Sequence, residues 1–164
     1  MSTLGALETH RLALSARLDA LPPEAVHARP ASGGWSLAQI VQHEYKIDRG
    51  LMLDGPRASA PVRRTSGVRG GVLSAILSLP LRIPAPPGTE RILPDEAPDY
   101  AATRDAWAEL RGLWRQRLPG VAPHAVAFRH PLFGPFVLRD ALAFLLSHHR
   151  HHDAQVTRTI RAVA

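Results

Sequence analysis

A chain of 164 residues, 45% of them hydrophobic, can bury one substantial core and is short for two, so a single domain over 1–164 is expected. It has no cysteine, which rules out disulfides and thiolate ligands, and it shows neither a membrane-length apolar run nor a signal-peptide pattern, so a cytoplasmic protein without a membrane partner is expected. The net charge of +6 comes from 20 basic residues, all arginine but Lys46; they are mixed with acids except for Arg57, Arg63, Arg64 and Arg69, and no aromatic residue interleaves those four as a nucleic-acid platform requires, so nucleic acid is not an expected partner.

Residues from about Ser2 to Ala20 carry Leu4, Leu7, Leu14, Leu18 and Leu21 near helical spacing, with Arg11 and Arg17 read as lying off that stripe. Pro22-Pro23 ends the element, and His10 within it reads as a surface or partly packed imidazole. A loop is expected from Pro22 to Gly34. Ser36 and Gln39 then form a capping-box pattern, with Trp35 placed to pack back onto Ile40. Leu37, Ile40, Val41, Ile47 and Leu51 mark the buried side of a helix running to about Leu53, and His43 falls beside that stripe.

From Gly55 to Pro98 the pattern loosens into a long crossover, with one short apolar element at about Val72 to Leu79 and a proline-rich remainder. A loop this long inside one domain usually lines a pocket. A third helix is expected over Asp99 to Arg117, with Tyr100, Thr103, Trp107, Leu110 and Trp114 on one side. Val121 to Pro135 reads as a linker in which His130-Pro131-Leu132-Phe133-Gly134 makes an ordered turn. A fourth helix runs from about Leu138 to Ile160. The sum is an all-α, four-helix bundle with long crossover loops, a fold that places metal ligands on facing helices.

Four of the nine histidines crowd into Ser147-His148-His149-Arg150-His151-His152-Asp153-Ala154-Gln155. Residues four apart on a helix share a face, so His148 and His152 can hold one divalent metal. Gln155 extends that face, bordered by Leu145, Val156 and Thr159, whereas His149 and His151 point elsewhere and read as solvated. A mononuclear site wants a third ligand, and His43 is the natural one. Three imidazoles with an open position would make a catalytic site; the bland alternative is three partly buried rings satisfied by hydrogen bonds. Glu44 and Asp48 read as surface acids by default, either of which could serve as a base or a supporting group, and Glu44 and Gln155 are the candidate catalytic residues. Trp35, Trp107 and Trp114 read as core.

Imidazole ligands suit zinc and nickel first, with copper, manganese or iron as further candidates. A metal with three nitrogen ligands can lower the pKa of bound water to about 7, which supports hydrolysis, or can hold a thiol as thiolate, which supports group transfer. Proton competition is expected to end metal uptake below about pH 6 to 6.5.

Trp35-Ser36 followed by His43, and His148-x3-His152-x2-Gln155 on the last helix, resemble the two motifs of the DinB/YfiT-like family of metalloenzymes. The stretch Ile83 to Pro94 and the turn at His130 to Gly134 are similar to its connections, so the resemblance spans nearly the whole chain. It implies His43, His148 and His152 as ligands of a divalent metal with Gln155 nearby, in a bundle that is often a homodimer. It also implies a pocket for a small-molecule substrate. Family members include metal-dependent hydrolases, thiol S-transferases using bacillithiol-like cofactors, and a mycothiol-dependent isomerase. Hydrolase-like chemistry is the first expectation; a thiol S-transferase with a low-molecular-weight thiol bound by Arg63, Arg64 and Arg82, or a non-catalytic metal-binding stress-response bundle, are the alternatives. The chain departs from the family pattern at Glu44, where an apolar residue is common, and at Leu138, where a Ser or Thr cap is common.

Overall fold

Leucines at helical spacing behind a capping serine build the first helix, α1 (Thr3–Asp19), in a computed structural model that describes residues 2–53, 90–130 and 134–163. The Ser2 hydroxyl accepts from the Gly5 N–H at 3.1 Å, satisfying one of the orphan donors of the first turn. Leu7, Leu14 and Leu18 are buried, and Arg11 is buried with them. The spacing 7, 11, 14, 18 puts Arg11 on the leucine stripe and not off it. Its guanidinium can be there because Glu8, three residues earlier, pairs with it at 2.8 Å.

The segment expected to be all loop contains a short helix, α2 (Pro23–His27), which buries Ala25 and Val26. Proline at the first position is compatible with a helix start. Gly33 and Gly34 take positive φ values of 81° and 111°, a region that side chains disfavour, and turn the chain into α3 (Leu37–Leu53). The expected capping box is present in both directions: Gln39 N–H donates to Ser36 Oγ at 3.2 Å and Ser36 N–H to Gln39 Oε1 at 3.0 Å.

The polar side of α3 ties down the segment before the next helix. Gln39 Nε2 donates to the carbonyls of Asp95 and Glu96 at 3.0 and 3.1 Å. Gln42 and Lys46 each reach the Asp95 carboxylate at 2.7 Å. These bonds fix a 3-10 turn, Glu90–Ile92, beside α3. The helix α4 (Tyr100–Arg117) follows, capped by Asp99 accepting from Ala102 N–H at 3.0 Å, and it buries the five residues expected together with Arg111.

The linker before the last helix is a β-hairpin, not only a turn. Strands β1 (Val126–His130) and β2 (Gly134–Val137) pair antiparallel, with a register shift between Val126 and Phe128. Strands of five and four residues, with a break in alternation, leave too little period-2 signal to read in sequence. Phe128 and Phe136 stack with ring centroids 5.0 Å apart and lean on Phe144 of α5 (Leu138–Val163). The absent side-chain cap at Leu138 is made good by the backbone: Leu138 N–H donates to Ala125 O at 2.8 Å and Arg139 N–H to Pro123 O at 3.0 Å.

The four long helices close on one core. α3 packs chiefly against α4 and α5, and α1 against α5 and then α4, while α2 lies on α3. Trp107 and Trp114 are fully enclosed. No helix among the described residues is long and apolar enough to cross a membrane. The apolar element expected at Val72 to Leu79, and Arg57, Arg63, Arg64, Arg69 and Arg82, lie outside the described residues, as does most of the expected turn at 131–133.

The reciprocal cap gives a direct stability test. Ser36→Ala removes the Oγ that accepts from Gln39 N–H, leaving the Ser36 N–H bond to Gln39 in place, and is expected to cost about 1 kcal/mol in urea unfolding; no change in the midpoint would show that the hydroxyl cap contributes nothing.

Candidate metal centre

α3 presents His43, and α5 presents His148 and His152 one turn apart. Their Nε2 atoms converge: His148 Nε2 lies 3.2 Å from His43 Nε2 and 3.1 Å from His152 Nε2. The outer nitrogens are committed elsewhere. His43 Nδ1 donates to the Ile92 carbonyl at 2.7 Å, and His152 Nδ1 to Gln155 Oε1 at 2.8 Å. Since neither acceptor carries a proton to give back, both rings hold hydrogen on Nδ1 and turn a bare Nε2 lone pair inward. His148 Nδ1 is buried without a partner. A tetrahedral ion with bonds of 2.0–2.1 Å needs donors about 3.3 Å apart. The separations of 3.2 and 3.1 Å from His148 Nε2 are close to that demand, all three ligand atoms lie within 4.8 Å of one another, and no arrangement of ring protons satisfies all three together.

Burial lowers the basicity of all three rings. For His43 it is the largest influence, followed by repulsion from His152, and the pKa falls to about 4 despite the Ile92 hydrogen bond. Burial, then His152 and His43, holds His148 well below the ordinary histidine value. Burial also lowers His152, with Glu44 opposing. His43 therefore stays neutral well below pH 6, and His148 and His152 are shifted the same way, which moves acid competition for the site lower than the 6 to 6.5 expected from free imidazole. The Trp35 ring lies against two of them, with centroids 4.8 Å from His43 and 6.3 Å from His152, so the residue read as a core tryptophan also walls the centre.

Beneath this centre lies a layer that reading the sequence residue by residue missed. Glu44, Asp48 and His149 are not surface groups; each is 0% exposed. His149 Nδ1 is 2.7 Å from Glu44 Oε2, and its Nε2 is 3.0 Å from Asp48 Oδ1. Asp48 Oδ2 accepts from Trp107 Nε1 and from Arg111, each at 2.5 Å. His10 Nε2 lies 3.4 Å from Glu44 Oε2. Burial alone would push His149 down, but the two carboxylates outweigh it and raise its pKa to about 9. For Glu44, burial would raise the pKa, but His149 and His10 overcome it and hold it well below the carboxylate range. Two carboxylates thus face one imidazolium and one guanidinium, a balanced set that low-polarity surroundings require. The clue in the sequence was a match of spacings: Glu44 and Asp48 are four apart on α3, as are Trp107 and Arg111 on α4.

Gln155 orients His152, as its place on the shared face suggested, while Glu44 bonds His149 instead of the three-ring cluster. His130 closes β1, its backbone paired with Gly134. Arg63, Arg64 and Arg82, expected to bind a thiol cofactor, fall outside the described residues.

A helical bundle that gathers three imidazoles from two facing helices, each backed by its own hydrogen bond or buried face, is an arrangement that could hold a metal ion. The chain belongs to the DinB superfamily, whose family model matches residues 6–156 and so spans all three histidines. Among solved structures it is similar to YfiT from Bacillus subtilis, described as a probable metal-dependent hydrolase with an unusual four-helix bundle topology. The two share 18% identity and a TM-score of 0.57, over 97% of this chain and 84% of that one, which establishes the common fold. A search of the curated proteins found no match.

The opposed histidine shifts give the metal-free chain a stability maximum. His43 protonates more readily unfolded than folded, so its contribution is present above about pH 6.5 and is lost as pH falls toward about 4. His149 is the reverse: its contribution is present below about 6.5 and is lost as pH rises through about 9. Denaturant unfolding of chelator-treated protein across this range is expected to peak near neutrality and fall on both sides; a monotonic profile would contradict the assignment.

Proposed function

We propose that the chain binds one divalent metal ion through His43, His148 and His152 and performs metal-dependent hydrolytic chemistry on a small-molecule substrate. The observation that carries this reading is the meeting of three Nε2 atoms whose ring partners are already bonded or buried. Three protein ligands are the number found in catalytic sites, which keep a position for water or substrate. Zinc and nickel suit an all-imidazole set best, ahead of manganese and iron. A divalent ion held there supplies Lewis acidity, polarising a water or a substrate carbonyl at neutral pH. Membership of the DinB superfamily and the likeness to YfiT both support the reading.

The chain's own residues do the positioning. The Ile92 carbonyl and Gln155 fix which nitrogen of His43 and His152 faces inward, and Trp35 excludes water from one side of the rings. Gln155 acts through His152 as an orienting group, while Glu44 is committed to His149 and not to the three rings.

Elemental analysis of purified protein grades these roles. His148→Ala is expected to weaken metal binding by more than about 100-fold, Gln155→Leu by about 10- to 100-fold, and His151→Ala little. Equal retention in His148→Ala and the native chain would end the proposal. The metal-loaded protein is then assayed against ester, amide and phosphoester substrates, with a thiol and an electrophile as the comparison; turnover confined to the thiol reaction would replace hydrolysis with thiol transfer.

A further inference from the structure

A second meeting of ligand atoms lies deeper in the bundle, where three different helices contribute His10, Glu44 and His149. His149 Nδ1 is 2.7 Å from Glu44 Oε2, and His10 Nε2 is 3.4 Å from the same oxygen. Each histidine turns its other nitrogen toward a separate carboxylate: His149 Nε2 lies 3.0 Å from Asp48 Oδ1, and His10 Nδ1 lies 3.6 Å from Asp153 Oδ2. For His149 that is how a metal-binding imidazole is oriented, with the outer N–H held by a carboxylate and the inner nitrogen left to the ion; His10 has its carboxylate only at ion-pair distance. The remaining oxygen, Glu44 Oε1, is buried with no hydrogen-bond partner. An unmatched carboxylate oxygen in the interior is costly, and a cation bound by Glu44 would satisfy it.

We propose that His10, Glu44 and His149 form a second divalent-cation site, distinct from the three-histidine centre. Two imidazoles and one carboxylate suit zinc and iron(II). No ligand is shared between the two sets, and the His148 and His149 rings are 6.5 Å apart between centroids. The two ions would therefore occupy independent centres and not the bridged pair, about 3.5–4 Å apart, of two-metal hydrolases. Taking up the ion sends the proton between His149 Nδ1 and Glu44 Oε2 to solvent and draws these two atoms apart from 2.7 Å toward the roughly 3.3 Å that two ligand atoms of one ion require. Asp48 keeps its charge partner in Arg111 throughout.

The test is zinc stoichiometry on the full chain, stripped with chelator, reloaded with zinc and desalted, with circular dichroism confirming each fold. The native protein is expected to retain about two zinc ions per chain, and His43→Ala, His10→Asn and Glu44→Gln about one each. The double variant His43→Ala/His10→Asn should retain none. His10 lies nearest the surface of the three, so its variant stays informative if Glu44→Gln folds poorly. One zinc in the native protein, unchanged in His10→Asn, overturns the proposal, as do two ions unaffected by both His10→Asn and Glu44→Gln. One ion lost in His10→Asn and kept in His43→Ala would uphold this site while removing the function proposed above.

Discussion

The contact between Glu44 and His149 sets the spacing of the chemistry beside it. Glu44 follows His43 on α3, and His149 follows His148 on α5. Drawing the second members of these pairs to 2.7 Å leaves the first members little freedom, and they meet with Nε2 atoms 3.2 Å apart. A buried carboxylate and a buried imidazole that fail to pair would cost several kcal/mol, so the register of α3 against α5 is strongly selected. A metal centre on facing helices needs such a selector, because apolar packing alone tolerates small slides.

Asp48 extends the same constraint to α4. Its carboxylate joins His149, Trp107 and Arg111, so one anion fixes the relative positions of three helices. A layer of this kind need not add net stability over a well-packed apolar one. Its value lies in geometry: a leucine layer would hold the helices together without specifying which residues face. This accounts for Glu44, an acid at a position where the resemblance to the family leads one to expect an apolar side chain.

The other side of the centre is organised by the cap of α3. Ser36 and Gln39 fix where the helix begins, and Gln39, Gln42 and Lys46 then hold residues 90–96 against it. The Ile92 carbonyl arrives at His43 Nδ1 as a result. The region after the long crossover thus contributes to the site through backbone, which no side-chain motif could reveal. The same is true of α5, whose first N–H groups are met by the carbonyls of Ala125 and Pro123 across the hairpin.

Local rules sufficed for the parts whose information is local. Apolar periodicity and the Ser36–Gln39 box located the long helices, because helical spacing and capping involve residues within one turn. The i, i+4 pair His148 and His152 and the motif around His43 were legible for the same reason. Which way His149, Glu44 and Asp48 face was not, since a charged side chain is interior only when a partner from another helix meets it. Arg11, read as outside its stripe, is buried beside Glu8, and the hairpin and α2 were too short to carry a period. Sequence named the three ligand-type rings; only the tertiary structure, by pairing charges across α3, α4 and α5, brought them to one point.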